Sequence, residues 1–416
     1  MVKFGIRREF EIRRNSKMKK VLSVVLILAM VFMFAACGGE SAPANEGGDA
    51  ETPDVIKIGF FAPVSAAAAA ADGKSALNSA KLAVKLINEN GGINGATVEL
   101  VDFDDGLDTT EAANIAEKLA YDDSVAAVVS GSYSGPTKVA APIFQEAGKL
   151  MVSAYAVHPD VVNAGDLIFS QSFPGKLQGT AAAIYATETL KAKKIAIISV
   201  DLDFGATQIE AFKAQLEKMG SDAEIVYEQA IAISDSDMSS AVTAAAAAGA
   251  DLIYSVNYYE QAAQVLREVG QKGLDIPVLG CEGADSFELL NIAGEYANGL
   301  YITTNMNRDD QNAETQAYIE NYVNEYGIQP DMVGASVYDA FQVLFAAMKE
   351  VGTDTQAMRE YIAGMENFDT VTGTLIRYNE DGSAVKPVQI QLVTDGEYHS
   401  AGTIDDMEVI DPANYQ

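Results

Sequence analysis

The chain has 416 residues, 49% of them hydrophobic, with 59 acidic side chains against 28 basic ones and a formal charge of −31. Such a charge repels phosphate backbones and anionic headgroups, which argues against nucleic-acid binding. Two cysteines (Cys37, Cys281) and two histidines (His158, His399) leave almost no ligands for a zinc-type site, so neither metal nor cofactor is expected.

The first element is a mostly apolar run of 16 residues, Val21 to Ala36, led by Lys17, Lys19 and Lys20 and closed by Cys37-Gly38-Gly39. It is short for a bilayer span, which needs about 20 residues, and it has the basic-then-apolar order of a signal peptide. Phe34-Ala-Ala-Cys37 resembles a bacterial lipobox, with Phe34 in place of the usual leucine. Residues 1–36 are therefore read as a signal peptide and Cys37 as the lipidated mature N-terminus. This places the protein outside the cytoplasm on a membrane anchor. A plain signal peptide cut after Ala36 and an uncleaved anchor are the alternatives. Met18 is a more typical start than Met1. Residues 1–36 hold 8 of the 28 basic residues and 2 of the 59 acidic ones, so the remainder carries 20 against 57 and a formal charge of −37.

Residues 37–53, rich in Gly, Ala, Glu and Pro, show no apolar period and read as a flexible tether. Sixteen such residues reach about 55 Å stretched and roughly 20–25 Å as a relaxed coil.

From Asp54 short apolar runs alternate with amphipathic stretches. Strands are predicted at 55–61, 98–103, 125–129 and 150–153, with helices at 76–90, 109–121 and 136–147 between them. Asp108-Thr-Thr-Glu111 is a capping box, and Gly91-Gly92 stops the helix before it. A second set follows. Strands at 194–200, 224–227, 252–256, 277–280 and 300–303 alternate with helices at 204–219, 238–248, 261–269 and 286–293. Tyr338, Phe341, Phe345 and Met348 fall on one helical stripe and read as core. Residues 375–378 and 388–393, split by Asp381-Gly382, read as a closing hairpin. Units of about 30 residues imply parallel sheets, so the expectation is α/β: two doubly wound lobes with a ligand cleft outside the strands' carboxyl ends.

An enzyme is not expected. Gly131-Ser-Tyr-Ser134-Gly135 misses the G-x-S-x-G elbow by one place, His158 is the only plausible base, and no phosphate loop or dinucleotide fingerprint appears.

From Val55 to the C-terminus the chain resembles the type I periplasmic binding proteins that feed ABC importers, in particular the branched-chain amino-acid-binding group. The resemblance rests on Ile87-Asn-Glu-Asn-Gly-Gly-Ile93, Asp104-Asp105 with Asp108, Ser134 ahead of a helix, Leu150-Met-Val-Ser-Ala-Tyr-Ala-Val-His-Pro159, Gly280-Cys-Glu-Gly283 and Asn291-Ile-Ala-Gly-Glu295. It implies two lobes joined by a three-crossover hinge, residues 54–172 plus 303–370 and residues 173–302 plus 371–416. It also implies a monomer that binds a small, branched-chain or aliphatic amino acid and delivers it to ABC permease subunits. Another small polar solute (an amide, a urea-like compound or an aromatic acid) and a sensor role at a membrane receptor are the alternatives.

By the same resemblance Ser134, read as a helix N-cap before Gly135-Pro136, holds the ligand carboxylate, and Glu282 holds its ammonium. Tyr155 and Val157 offer a backbone carbonyl and a backbone N–H, while Phe204 and Tyr258 close over the ligand. The chain departs from the pattern in three places. Val157 stands where a hydroxyl residue is usual. Asp72 stands where many relatives carry tyrosine; it either faces the ligand's side chain and favours a polar or cationic one, or is a solvated loop acid. Leu107 and Tyr133 occupy the positions of a disulfide found in some relatives. Cys281 reads as a buried structural thiol.

Overall fold

The computed structural model describes residues 54–415. The signal segment, Cys37 and the tether lie outside the described residues. Among the described residues no helix is long and apolar enough to cross a membrane.

The first half builds a five-stranded, wholly parallel sheet. Its elements in chain order are β1 (Val55–Ala62), α1 (Ala70–Glu89), β2 (Thr97–Asp104), α2 (Thr109–Ala120), β3 (Val125–Ser130), α3 (Ser134–Glu146), β4 (Met151–Ser153) and β5 (Ile168–Ser170). The strand order is β2-β1-β3-β4-β5. Alternation along β1 splits its side chains between two layers. Ile56, Ile58 and Phe60 join the α1 side, while Phe61 packs with Ile115, Leu119 and Phe144 of α2 and α3 on the other face. The sheet is thus wound on both faces, as expected. The capping box is half realised: the Asp108 side chain accepts from the N–H groups of Thr110 and Glu111.

The chain then passes to a second sheet through α4 (Gly175–Ile184). It adds β6 (Lys194–Val200), α5 (Asp203–Lys218), β7 (Glu224–Ile231), α6 (Ser239–Ala247), β8 (Leu252–Val256), α7 (Tyr259–Gln271), β9 (Val278–Gly280), α8 (Phe287–Ala293) and β10 (Leu300–Thr304). After β10 it returns to the first sheet as α9 (Ala313–Tyr326), α10 (Met332–Val351) and α11 (Thr355–Ala363). On α10, Phe341, Phe345 and Met348 are fully buried and Tyr338 partly so, which realises the predicted stripe.

The expected closing hairpin is different in the structure. β12 (Gly373–Tyr378) pairs with β11 (Glu366–Thr370) and, across the Asp381-Gly382 turn, with the two-residue β13 (Ala384–Val385). The run at 388–393 belongs to β14 (Val388–Thr394), which pairs antiparallel with β10 and with β15 (Glu397–Ile404). The turn is where the sequence puts it, but β14 is buried almost throughout and completes its burial only inside the large sheet. That sheet has the order β15-β14-β10-β9-β8-β6-β7.

Buried polar groups pin the passages between sheets. Asn305, just after β10, donates to Ser336 Oγ on α10 (2.9 Å) and reaches Ser172. Lys386, between β13 and β14, is fully buried against Asp339 of α10 (3.6 Å) and donates to Thr370 Oγ1. Such groups stay buried because each finds its partner there.

Candidate functional site

Parallel strands deliver their following loops and helix N-termini to one end of a sheet, and here the two sheets present those ends to one shared cavity. From the first sheet come Tyr133 and Ser134 after β3, Tyr155 and Val157 after β4, and Asp72 from the first turn of α1. From the second come Phe204 at the start of α5, Tyr258 after β8, and Glu282 and Gly283 after β9. Met332 and Val333 of α10 complete the lining. The space left free within this lining is about 20 Å3, well below the roughly 300–1,000 Å3 usual for small-molecule sites. Among the described residues no Lys, Arg or His side chain lines it.

All seven residues singled out from the sequence therefore meet at one place: Asp72, Ser134, Tyr155, Val157, Phe204, Tyr258 and Glu282. Ser134 is the first residue of α3, with Tyr133 as the N-cap, so the reading of Ser134 as the cap itself is corrected by one position. Pro136 has no N–H to offer, and Thr137 N–H already bonds Tyr133 O. The N–H groups of Ser134 and Gly135 belong to the first turn, which has no intrahelical partners, at the positive end of the helix. Val157 O accepts from Gly175 N–H (3.2 Å), which leaves Val157 its own N–H as the polar group for the cavity. The Tyr155 hydroxyl donates to Gly131 O (2.7 Å), so its ring is held as a wall.

Two carboxyls define the electrostatics. Glu282 is 3% exposed, and its Oε2 has no hydrogen-bond partner. Burial pushes its carboxyl up to about 8, with the charge of Asp285 acting in the same direction. Asp72 is also 3% exposed, so it is no solvated loop acid. Its carboxyl too is pushed up to about 8, first by burial and then by the charges of Asp331 and Asp285; the Tyr133 hydroxyl, donating to Oδ2 at 2.7 Å, offsets part of this. The neighbour Gly73 lets Asp72 sit so deep, because a Cβ there would lie 2.4 Å from Pro63 O in the β1–α1 loop.

Tyr133, Met332, Val333 and Gly283 were not expected in the site. Tyr133 stacks on Tyr258 with ring centres 4.5 Å apart, and Tyr258 stacks in turn on Phe204 at 4.8 Å, so three rings run from one lobe to the other. The one signal for Tyr133 was its place next to Ser134. Met332 and Val333 sit in a stretch with no motif at all.

Outside this stack, Lys138 of α3 bonds Asp203 of α5 across the cleft mouth (3.0 Å). His158 lies 3.8 Å from the same carboxylate, and burial, then Lys138, holds its pKa down. Among the described residues no hydrogen bond joins His158 to Ser134, so nothing activates that hydroxyl. Cys281 is buried, its thiol pushed up to about 12 by burial, with Sγ 3.6 Å from Asn257 O. It is a structural thiol, as read from the sequence. Among the described residues no group of His, Cys, Asp or Glu is placed to hold a metal ion.

Two doubly wound lobes with an aromatic-walled cavity between them, set with two buried carboxyls, define a two-lobe solute-binding protein. Residues 55–397 match the periplasmic binding protein family, and the chain belongs to it. It is 28% identical over 326 residues to the leucine-, isoleucine-, valine-, threonine- and alanine-binding protein of Pseudomonas aeruginosa, covering 77% of this chain and 85% of that one. A branched-chain amino acid transporter substrate-binding protein of Streptococcus pneumoniae, solved with isoleucine, superposes with a TM-score of 0.77 at 27% identity, covering 84% and 99%. A Rhodopseudomonas palustris binding protein solved with 3,4-dihydroxybenzoic acid shares the fold, with a TM-score of 0.79 at 21% identity and coverage of 88% and 100%. The relatives are substrate-binding proteins of transporters, and this chain is a binding protein of that type, not an enzyme.

Proposed function

We propose that the protein is the lipid-anchored, extracytoplasmic receptor of an ABC importer, which closes on a small amino acid with an aliphatic carbon chain and hands it to the permease. In this reading the lobes are residues 54–172 plus 303–370 and residues 173–302 plus 371–416, hinged at three crossings. The carboxylate sits at the start of α3 on the Ser134 hydroxyl and N–H with the Val157 N–H. The ammonium meets Glu282 and the Tyr155 carbonyl, and Phe204 and Tyr258 cover the carbon chain. The observation that carries this reading is that one cavity combines a helix N-terminus for an anion with a buried carboxyl whose Oε2 has no hydrogen-bond partner, for a cation. Because these groups belong to different lobes, a ligand that bonds both favours the closed state. An aromatic acid has no cation for Glu282 and would leave two buried carboxyls unpaired in a cavity without a basic side chain. The relatives' named amino acids agree with the preferred class.

The test is a thermal-shift screen of the twenty amino acids. At least one should stabilise the protein, and Ser134→Ala and Glu282→Gln should each weaken that ligand at least tenfold, the size of a hydrogen bond to a charged group. Flat curves for all twenty would remove the amino-acid reading. Fatty-acid labelling that is present in the native protein and lost in Cys37→Ser would support the anchor.

A further inference from the structure

The amino-acid reading accounts for one of the two buried carboxyls and leaves the other over. A zwitterion with a plain hydrocarbon side chain brings one ammonium, and Glu282 takes it. Asp72 lines the same cavity from the other lobe. Its Oδ2 accepts the Tyr133 hydroxyl, while Oδ1 takes no hydrogen bond from any described residue. The cations nearby are already engaged: Arg308 forms a buried ion pair with Asp285, and Lys138 is held at the mouth by Asp203. Asp331, close enough to act on Asp72, is satisfied by Ser75 Oγ and Gly334 N–H and adds only further negative charge. A carboxyl this deep must stay protonated or find a cation.

We propose that Asp72 Oδ1 receives a second cationic group, at the end of the ligand's side chain, so that the site takes a dibasic α-amino acid of the lysine, ornithine or arginine type. The proposal rests on the amino-acid reading given above and names its side-chain class. Such a ligand has the aliphatic stem that Val157, Met332, Val333 and the aromatic rings can cover, with a charged tip beyond it. Tyr133 is then a positioning residue: its hydroxyl fixes one carboxylate oxygen and turns the other to the ligand.

The experiment is calorimetric titration of the full-length protein with lysine, ornithine, arginine, leucine and norleucine, the last having lysine's carbon chain without its terminal ammonium. At least one dibasic amino acid should bind at least tenfold tighter than leucine and norleucine. Asp72→Asn should lower that preference at least tenfold, as expected for a lost charge-assisted bond. Tighter binding of leucine or norleucine than of all three dibasic ligands would overturn the proposal and leave the amino-acid reading standing. An unchanged preference in a folded Asp72→Asn protein would overturn it as well. If Asp72→Asn does not fold, the comparison with norleucine on the native protein decides. Binding of no amino acid at all would sink the underlying reading together with this one.

Discussion

Burial pushes the carboxyls of Asp72 and Glu282 up to about 8, well above the pH at which an ordinary carboxyl loses its proton. Both folded-state values are raised, to about 8, so between the ordinary carboxylate range and pH 8 the folded chain binds more protons than the unfolded one. The stability they contribute is complete below about pH 4 and is lost as the pH rises towards 8. The melting temperature of the ligand-free protein should therefore fall between pH 5 and pH 8. Glu282→Gln and Asp72→Asn should each flatten that slope, since an amide has no proton to lose. Parallel slopes in native and variant proteins would show that these carboxyls ionise normally. Ser134, Tyr155, Val157 and Glu282 were legible only through the family resemblance of the stretches that hold them, since a lone N-cap serine or a lone glutamate is in itself unremarkable. Tyr133, Met332 and Val333 were not, since an apolar or aromatic residue beside a cavity looks in sequence like one in the core.

At the scale of elements, the site depends on how closely α4 and α5 approach. Gly179 of α4 has no Cβ, and one placed there would lie 2.0 Å from the Gln208 carbonyl oxygen of α5. Gly179→Ala must push α5 away, and α5 starts with Asp203 and Phe204. It should destabilise the protein by about 1–3 kcal/mol in a urea titration, the usual cost of overpacking, and loosen the ligand as well. Wild-type stability would mean that the helices can separate freely. Most of the repeated strand and helix pattern up to β10 was readable from periodicity, because each unit closes on local signals; β5 and α4, between the two sets, were not. The pairing of β14 was not, since a short apolar strand carries no label for its partner, and the sheet with room for a doubly buried strand took it.

At the scale of the molecule, the lobes are joined by the Tyr133–Tyr258 stack inside and the Lys138–Asp203 pair at the mouth. The pair is partly solvated, with Asp203 70% exposed on its side chain, and exposed pairs are worth about 0–1 kcal/mol. Lys138→Met should therefore speed ligand release by no more than about fivefold, and the difference should shrink at high salt. Stopped-flow fluorescence of the 18 tyrosines, in a chain without tryptophan, can follow it. A large, salt-independent change would mean that the contact is part of the binding site itself.

The sequence by itself determined the α/β class and the two-lobe plan, because helix period and strand period are properties of short segments, and its resemblance to a known family pointed to the rest. Only the tertiary structure decided that Asp72 is a buried wall of the cavity, that Tyr133 bridges the lobes, and where β14 pairs. Each of these depends on residues far apart in the chain, and burial, the force that sets them, exists only once those residues have come together.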